Sequence, residues 1–146
     1  MTALAGESFV AAELLKRGLQ CSVTFGTAKS IDLLAHNPRT EKNFNIQVKA
    51  LYAKNYFLIS PRAVKRGHVY VFVLLNNPGK PVEYFILPSS ELLEGAEQFG
   101  KNYQHPTLPG IHPKSLQAFR DNWQLFGVPG SAGLQPAHCP TFHLYP

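Results

Sequence analysis

A chain of 146 residues with 45% apolar composition is the size of one ordinary domain and has enough apolar mass for a packed core. Two cysteines, Cys21 and Cys139, are too few for a disulfide framework, and no apolar run approaches the roughly 20 residues that cross a bilayer. The formal charge of +5 is uneven: residues 1–66 hold ten Lys/Arg against four Asp/Glu, and residues 67–146 hold four against five. Such a field favours polyanions around the first half, although solubility alone also accounts for it. The opening Met-Thr-Ala-Leu-Ala-Gly-Glu lacks the basic segment and apolar run of a secretory signal. The expectation is a soluble, cytoplasmic protein without a membrane segment.

In chain order, residues Leu4 to Arg17 favour helix, and Gly18 is a natural stop. Val10, Ala11 and Leu14 share one face, Glu7 falls on that same face, and Glu13 stands one turn before Arg17 for a surface ion pair. An acid facing the sheet is more informative than one facing water, although a first-turn acid also suits the helix dipole. Four extended runs follow, at Gln20 to Phe25, Ile31 to His36, Phe44 to Leu51 and Tyr56 to Ser60, with breaks at Gly26 and Asn37-Pro38. Short connections predict an antiparallel meander for the first three. In the third run Phe44, Ile46, Val48 and Ala50 alternate with Asn45, Gln47 and Lys49, so one face is core and the other polar.

Ser60-Pro-Arg-Ala-Val-Lys-Arg-Gly67 reads as a short helix with a serine cap, proline at its first position and a glycine end. Val69 to Leu75 and Val82 to Leu87, joined through Asn76-Asn-Pro-Gly-Lys-Pro81, read as a buried hairpin. A helix start precedes Leu92 and Leu93, and Pro113 opens a second helix with Leu116, Phe119, Trp123 and Phe126 on one stripe, expected to be core packing. One domain over residues 1–127 is expected, with 128–146 a loosely ordered tail rich in Pro and Gly.

Within this frame Asp32, in Ser-Ile-Asp-Leu-Leu-Ala, and Lys49, seventeen positions on in Asn-Ile-Gln-Val-Lys-Ala, are charges in strand-like runs. Burying either is costly without a partner or a task. An Asp32 carboxylate offers an anionic oxygen to a hard ion such as Mg²⁺ or Mn²⁺. Lys49 leaves the same strand face as Gln47, where an ammonium can orient a water or stabilise charge developing on phosphorus. The alternative is an Asp32–Lys49 ion pair across neighbouring strands, which contributes little net stability once both charges are desolvated.

A helix acid, a strand aspartate and a strand ending in polar-x-Lys together resemble the PD-(D/E)XK nuclease superfamily, most nearly its archaeal Holliday-junction-resolvase and restriction-endonuclease-like branch. The likeness spans about residues 6–51 by motif and reaches about residue 90 by order of elements. It implies an α/β fold, a mixed and largely antiparallel sheet flanked by helices, and metal-dependent hydrolysis of phosphodiesters, with DNA as the expected partner. By that resemblance Asp32 is the metal-binding aspartate, Gln47 the second-strand ligand, Lys49 the catalytic lysine and Glu7 the helix acid. Gln47 stands where Asp or Glu is commoner, although the resemblance includes glutamine variants. A neutral amide removes one negative charge, so metal affinity is weaker unless Glu7 or a substrate phosphate replaces it.

Lys54, Arg62, Lys65 and Arg66 follow the motif closely and suit contacts to a phosphate backbone. A resolvase-like enzyme needs two active sites to cut paired strands, hence an expected homodimer. The competing expectation is an inactive descendant of the fold that binds nucleic acid or a protein partner. The histidines, including His105, His112, His138 and His143 with Cys139, lack the paired spacing of a structural zinc site.

Overall fold

The computed structural model describes residues 1–25 and 30–129. Helix α1 spans Thr2–Lys16 and buries Glu7, Val10, Ala11 and Leu14. Gly18, at φ 88°, ends it in the left-handed region, and the Leu19 N–H returns to the Leu14 carbonyl at 3.0 Å. The expected Glu13–Arg17 pair forms. The Arg17 guanidinium also lies 4.4 Å from the centre of the Trp123 ring, which ties the end of α1 to the C-terminal part of the described chain.

Strands β1 (Gln20–Val23), β2 (Leu33–Asn37) and β3 (Lys42–Leu51) form the expected antiparallel meander. After a two-residue strand, β4 (Phe57–Leu58), come β5 (Val69–Leu74) and β6 (Glu83–Pro88), the expected hairpin. The main sheet has the order β1-β2-β3-β5-β6, and β3 and β5 are its parallel pair. A parallel pair needs a crossover, and residues 52–68 supply it with β4 inside. The run expected at 56–60 therefore stays out of the main sheet: β4 pairs instead with β7 (Gly110–Ile111). Helix α2 is Ser89–Glu94.

Both faces of the β5–β6 hairpin are covered, which is why its sequence reads as continuous apolar runs. Val69, Val71, Val73, Tyr84 and Ile86 enter the cluster under α1, whereas Tyr70, Phe72, Phe85 and Leu87 enter a second cluster with Phe57, Phe99, Tyr103 and Leu116. β3 divides differently. Ile46 and Val48 join the first cluster, and Gln47 and Lys49 lie on the other face, only partly buried.

Two expected helices take another form. In the segment from Ser60, only Pro61–Ala63 is helical, as a single 3-10 turn whose Arg62 N–H donates to Ser60 Oγ at 3.3 Å. The expected helix from Pro113 is two 3-10 segments, Pro113–Phe119 and Trp123–Phe126. Between them Arg120 bridges to Phe85 and Asp121 takes φ 51°, with its N–H on the Tyr84 carbonyl at 2.9 Å. The chain passes from one side of the sheet to the other there. Leu116 and Phe119 pack with the second cluster, Trp123 and Phe126 with the first. The stripe is core, as expected, but it serves two cores. Val128 is also buried in the first cluster, and the remainder of the expected tail from residue 130, with Gly26 to Lys29, lies outside the described residues. Among the described residues no helix is long and apolar enough to cross a membrane.

The fit of α1 on the sheet depends on Gly6. A Cβ there would stand 2.5 Å from the Ala50 Cβ and 3.4 Å from a Val48 methyl. Gly6→Ala, which in an open helix gains up to about 1 kcal/mol from propensity, is expected instead to destabilise, because overpacking costs about 1–3 kcal/mol. Urea unfolding reads the sign, and a stabilised variant contradicts this packing.

Candidate active site

Asp32, Gln47 and Lys49 lie around the start of β2, where β3 passes from pairing with β2 to pairing with β5. Asp32 sits one residue before β2, not within it as expected from the run Ile31 to His36. Its backbone N–H donates to the Ile46 carbonyl at 3.0 Å, while its carboxylate Oδ2 accepts from the Val48 N–H at 2.8 Å. Beyond Ile46, where β2 no longer supplies a ladder carbonyl, a side-chain oxygen satisfies β3 instead. The Gln47 side-chain amide donates across the same gap to the Ser30 carbonyl. Asp32 and Gln47 thereby lock the two chain segments together at one point, and Val48, between Gln47 and Lys49, is the residue they straddle.

On the Lys49 face this point opens into a cleft of about 460 Å³, whose lining includes Ser30, Gln47, Lys49, Ser60, Lys65 and Tyr70. The parallel register sets Tyr70 beside Gln47. The Tyr70 hydroxyl accepts from the Lys65 N–H at 2.9 Å. Burial pushes the phenol above its ordinary pKa; the hydrogen bond from Lys65 opposes this, and the Asp32 carboxylate adds to it. The phenol is accordingly held protonated, a neutral donor next to two lysines.

Glu7 is 5% exposed, and Gly6 beside it packs on Val48 and Ala50, so its helix lies on the face of β3 opposite Lys49. Neither Glu7 nor Asp32 lines the cleft itself. The four expected basic residues separate. Lys65 lines the cleft with Lys49, and Arg62 lines an adjoining depression with His105 and Pro109. Lys54 is exposed in the connection after β3. Arg66 is ion-paired to Glu94 at 2.7 Å, both side chains largely in solvent, a contact that contributes at most about 1 kcal/mol.

Tyr70 is the member of this site that the sequence reading missed, since it stands inside a run that reads only as a buried strand. Its sole signal is a hydroxyl in an otherwise aliphatic and phenylalanine stretch, a group that seeks a partner when buried. His105 and His112 have structural tasks in turns: each Nδ1 accepts backbone N–H groups two or three residues ahead. Cys21 is half-buried against the first cluster, and burial pushes its thiol pKa up. The tail residues His138, Cys139 and His143 lie outside the described residues.

Among the described residues no three His, Cys, Asp or Glu side chains are grouped to hold a metal. Mg²⁺ is commonly held by one or two carboxylates and keeps several waters or substrate phosphates. Asp32, Gln47 and Glu7 offer only hard oxygens, and Asp32 is pinned by the Val48 N–H. The donor set fits such an ion.

No protein-family model matches the sequence, and no curated protein matches it. Among the solved structures similar in fold are two that follow. One is Hjc, a Holliday junction resolvase from the archaeal hyperthermophile Archaeoglobus fulgidus, with a TM-score of 0.51 and 16% identity over 79% of this chain and 92% of that one. The other is the bacterial homing endonuclease I-Ssp6803I, also with a TM-score of 0.51, at 14% identity over 85% of this chain and 89% of that one. The expected α/β architecture, an N-terminal helix on a mixed sheet that begins with an antiparallel meander, is the one observed, and the sheet has five strands. The chain has the restriction-endonuclease-like fold, and its neighbours in that fold are nucleases.

Proposed function

We propose that this protein is a Mg²⁺-dependent endonuclease that hydrolyses phosphodiester bonds in DNA, acting through one domain over residues 1–127 in the cytoplasm. The observation that carries this reading is the joint at Val48, where Asp32 is anchored and Gln47 and Lys49 leave β3 toward a basic cleft. Asp32 and Gln47, with Glu7 contributing charge from beneath α1, would hold Mg²⁺ or Mn²⁺. The ion, when bound, lowers the pKa of a coordinated water and polarises the phosphoryl oxygen. Lys49 orients the attacking water and stabilises charge developing on the phosphate, and Lys65 grips the adjoining phosphate. Tyr70, kept neutral, donates a hydrogen bond into the same cleft. Cutting both strands of a duplex requires two such sites, so the working form is a homodimer.

A second reading, a nucleic-acid-binding protein without catalysis, is favoured by one contact. The Gln47 amide donates to Ser30 and so has a holding task that a carboxylate could not perform. A protein kept only for binding would need no more of that position.

Asp32→Asn retains an oxygen for the Val48 N–H and removes the charge. It is expected to keep the fold, by thermal unfolding, and to lose Mg²⁺-dependent cleavage of plasmid or branched DNA by about 10²-fold or more, as is Lys49→Ala. Full cleavage by either variant, or no cleavage by the parent protein with Mg²⁺ or Mn²⁺, overturns the assignment. Gln47→Glu should lower the Mg²⁺ concentration needed for half-maximal cleavage. It should also cost about 0.5–1.5 kcal/mol in denaturant unfolding, because the hydrogen bond to the Ser30 carbonyl is lost. Unchanged metal dependence would place Gln47 outside the ion's reach.

A further inference from the structure

Beside the cleft lies a second cavity of about 550 Å³, a size suited to a small ligand. Leu58 and Leu108 line both cavities and form the wall between them. They are 62% and 65% exposed. Strand alternation sends Phe57 into the core and Leu58 outward. A lone exposed leucine is ordinary, but two on one wall between two cavities make a joint apolar ridge.

The two cavities differ in chemistry. The cleft presents the ammonium groups of Lys49 and Lys65. Among the described residues no lysine or arginine lines the second cavity, which offers the Tyr56 ring, aliphatic surface, and the polar side chains of Asn55, Asn102 and His105. Tyr56 is 40% exposed and stands edge-on to His112 with ring centres 5.2 Å apart. His105 Nδ1 accepts from the Thr107 and Leu108 N–H groups at 3.2 and 3.0 Å. With Nδ1 accepting, Nε2 is the ring nitrogen left to donate.

A cationic cavity and a neutral, partly aromatic one with hydrogen-bonding side chains, divided by a shared ridge, match the two parts of a nucleotide. We infer that the second cavity is a nucleobase site. It takes one unstacked base from the strand whose phosphate lies at Lys49 and Lys65, with Leu58 and Leu108 wedged between that base and its neighbour. Tyr56 meets the face of the base, and Asn55, Asn102 and His105 meet its edge. The substrate class is then nucleic acid with an unpaired nucleotide beside the bound phosphate. This inference rests on the proposed phosphate contacts of Lys49 and Lys65 and adds a site to them.

The test compares fluorescein-labelled duplexes by anisotropy, in EDTA so that nothing is cut: one with a central single-nucleotide bulge, and the same bulge made abasic. Charge and backbone are the same in the two, and only the base differs. The parent protein is expected to bind the bulged base about tenfold more tightly, the size of one lost base stack. Tyr56→Ala and His105→Ala, checked for folding by thermal unfolding, should reduce that ratio toward one. Equal affinity for the two bulges in the parent protein, or an undiminished ratio in both variants, overturns the base site. If Mg²⁺-dependent plasmid cleavage is intact when the two bulges bind equally, the nuclease reading stands without it. A tenfold preference without any cleavage supports the base site and defeats the nuclease reading, and absence of all DNA binding defeats both.

Discussion

The hydrogen bond from the Val48 N–H to the Asp32 carboxylate is the constraint around which the site is organised. A β-ladder normally ends by releasing its backbone groups to water. Here β2 starts at Leu33 while β3 continues to Leu51, and the next N–H of β3 is met by an ionised side chain. A charge-assisted bond of this kind is roughly twice as strong as a neutral one. It also fixes a carboxylate within one residue of both Gln47 and Lys49. Asp32 accepts from the Val48 N–H, and Lys49 lines the cleft.

The sheet determines what surrounds that point. On one face α1 approaches β3 closely enough that only glycine fits at position 6, and Glu7 is buried by the same approach. On the other face the apolar cluster that covers Tyr70 and Phe72 gives out at β3, leaving Gln47 and Lys49 beside open space. The crossover that makes β3 and β5 parallel then brings Lys65 to the cleft and β4 to its rim. One topological requirement accordingly supplies a second cation and the apolar ridge at Leu58. The basic excess of the first half of the chain is thus resolved into separate tasks: Lys49 and Lys65 in the cleft, Arg62 at its side, and Arg66 paired with Glu94 in solvent.

Local pattern carried the parts of this fold that depend on near neighbours. The helical spacing of Glu7, Val10, Ala11 and Leu14, the period-two alternation of residues 44–50 and the hairpin at 69–88 were all legible, and with them the places of Gln47 and Lys49 on one face of β3. Parallel pairing of β3 with β5 leaves no such trace, because its partners are far apart in sequence and β5 is apolar on both faces; Tyr70 beside Gln47 was therefore hidden. The stripe Leu116, Phe119, Trp123, Phe126 misled for a related reason. Spacings of three and four suit one helix, yet two 3-10 segments separated by the turn at Asp121 place the same side chains on opposite sides of the sheet. The Arg66–Glu94 contact was not legible, because its partners are 28 residues apart.

The central claim is that Asp32 and Gln47 together make a hard-cation site beside Lys49, and the most direct measurement is a crystal structure of the protein soaked in Mn²⁺, read by anomalous scattering. The account predicts one ion on oxygens of Asp32 and Gln47 at about 2.0–2.2 Å, at the edge of the cleft, with Asp32 still accepting from the Val48 N–H. An ion bound elsewhere, or an empty site with the Gln47 amide and Asp32 directed apart, would contradict it.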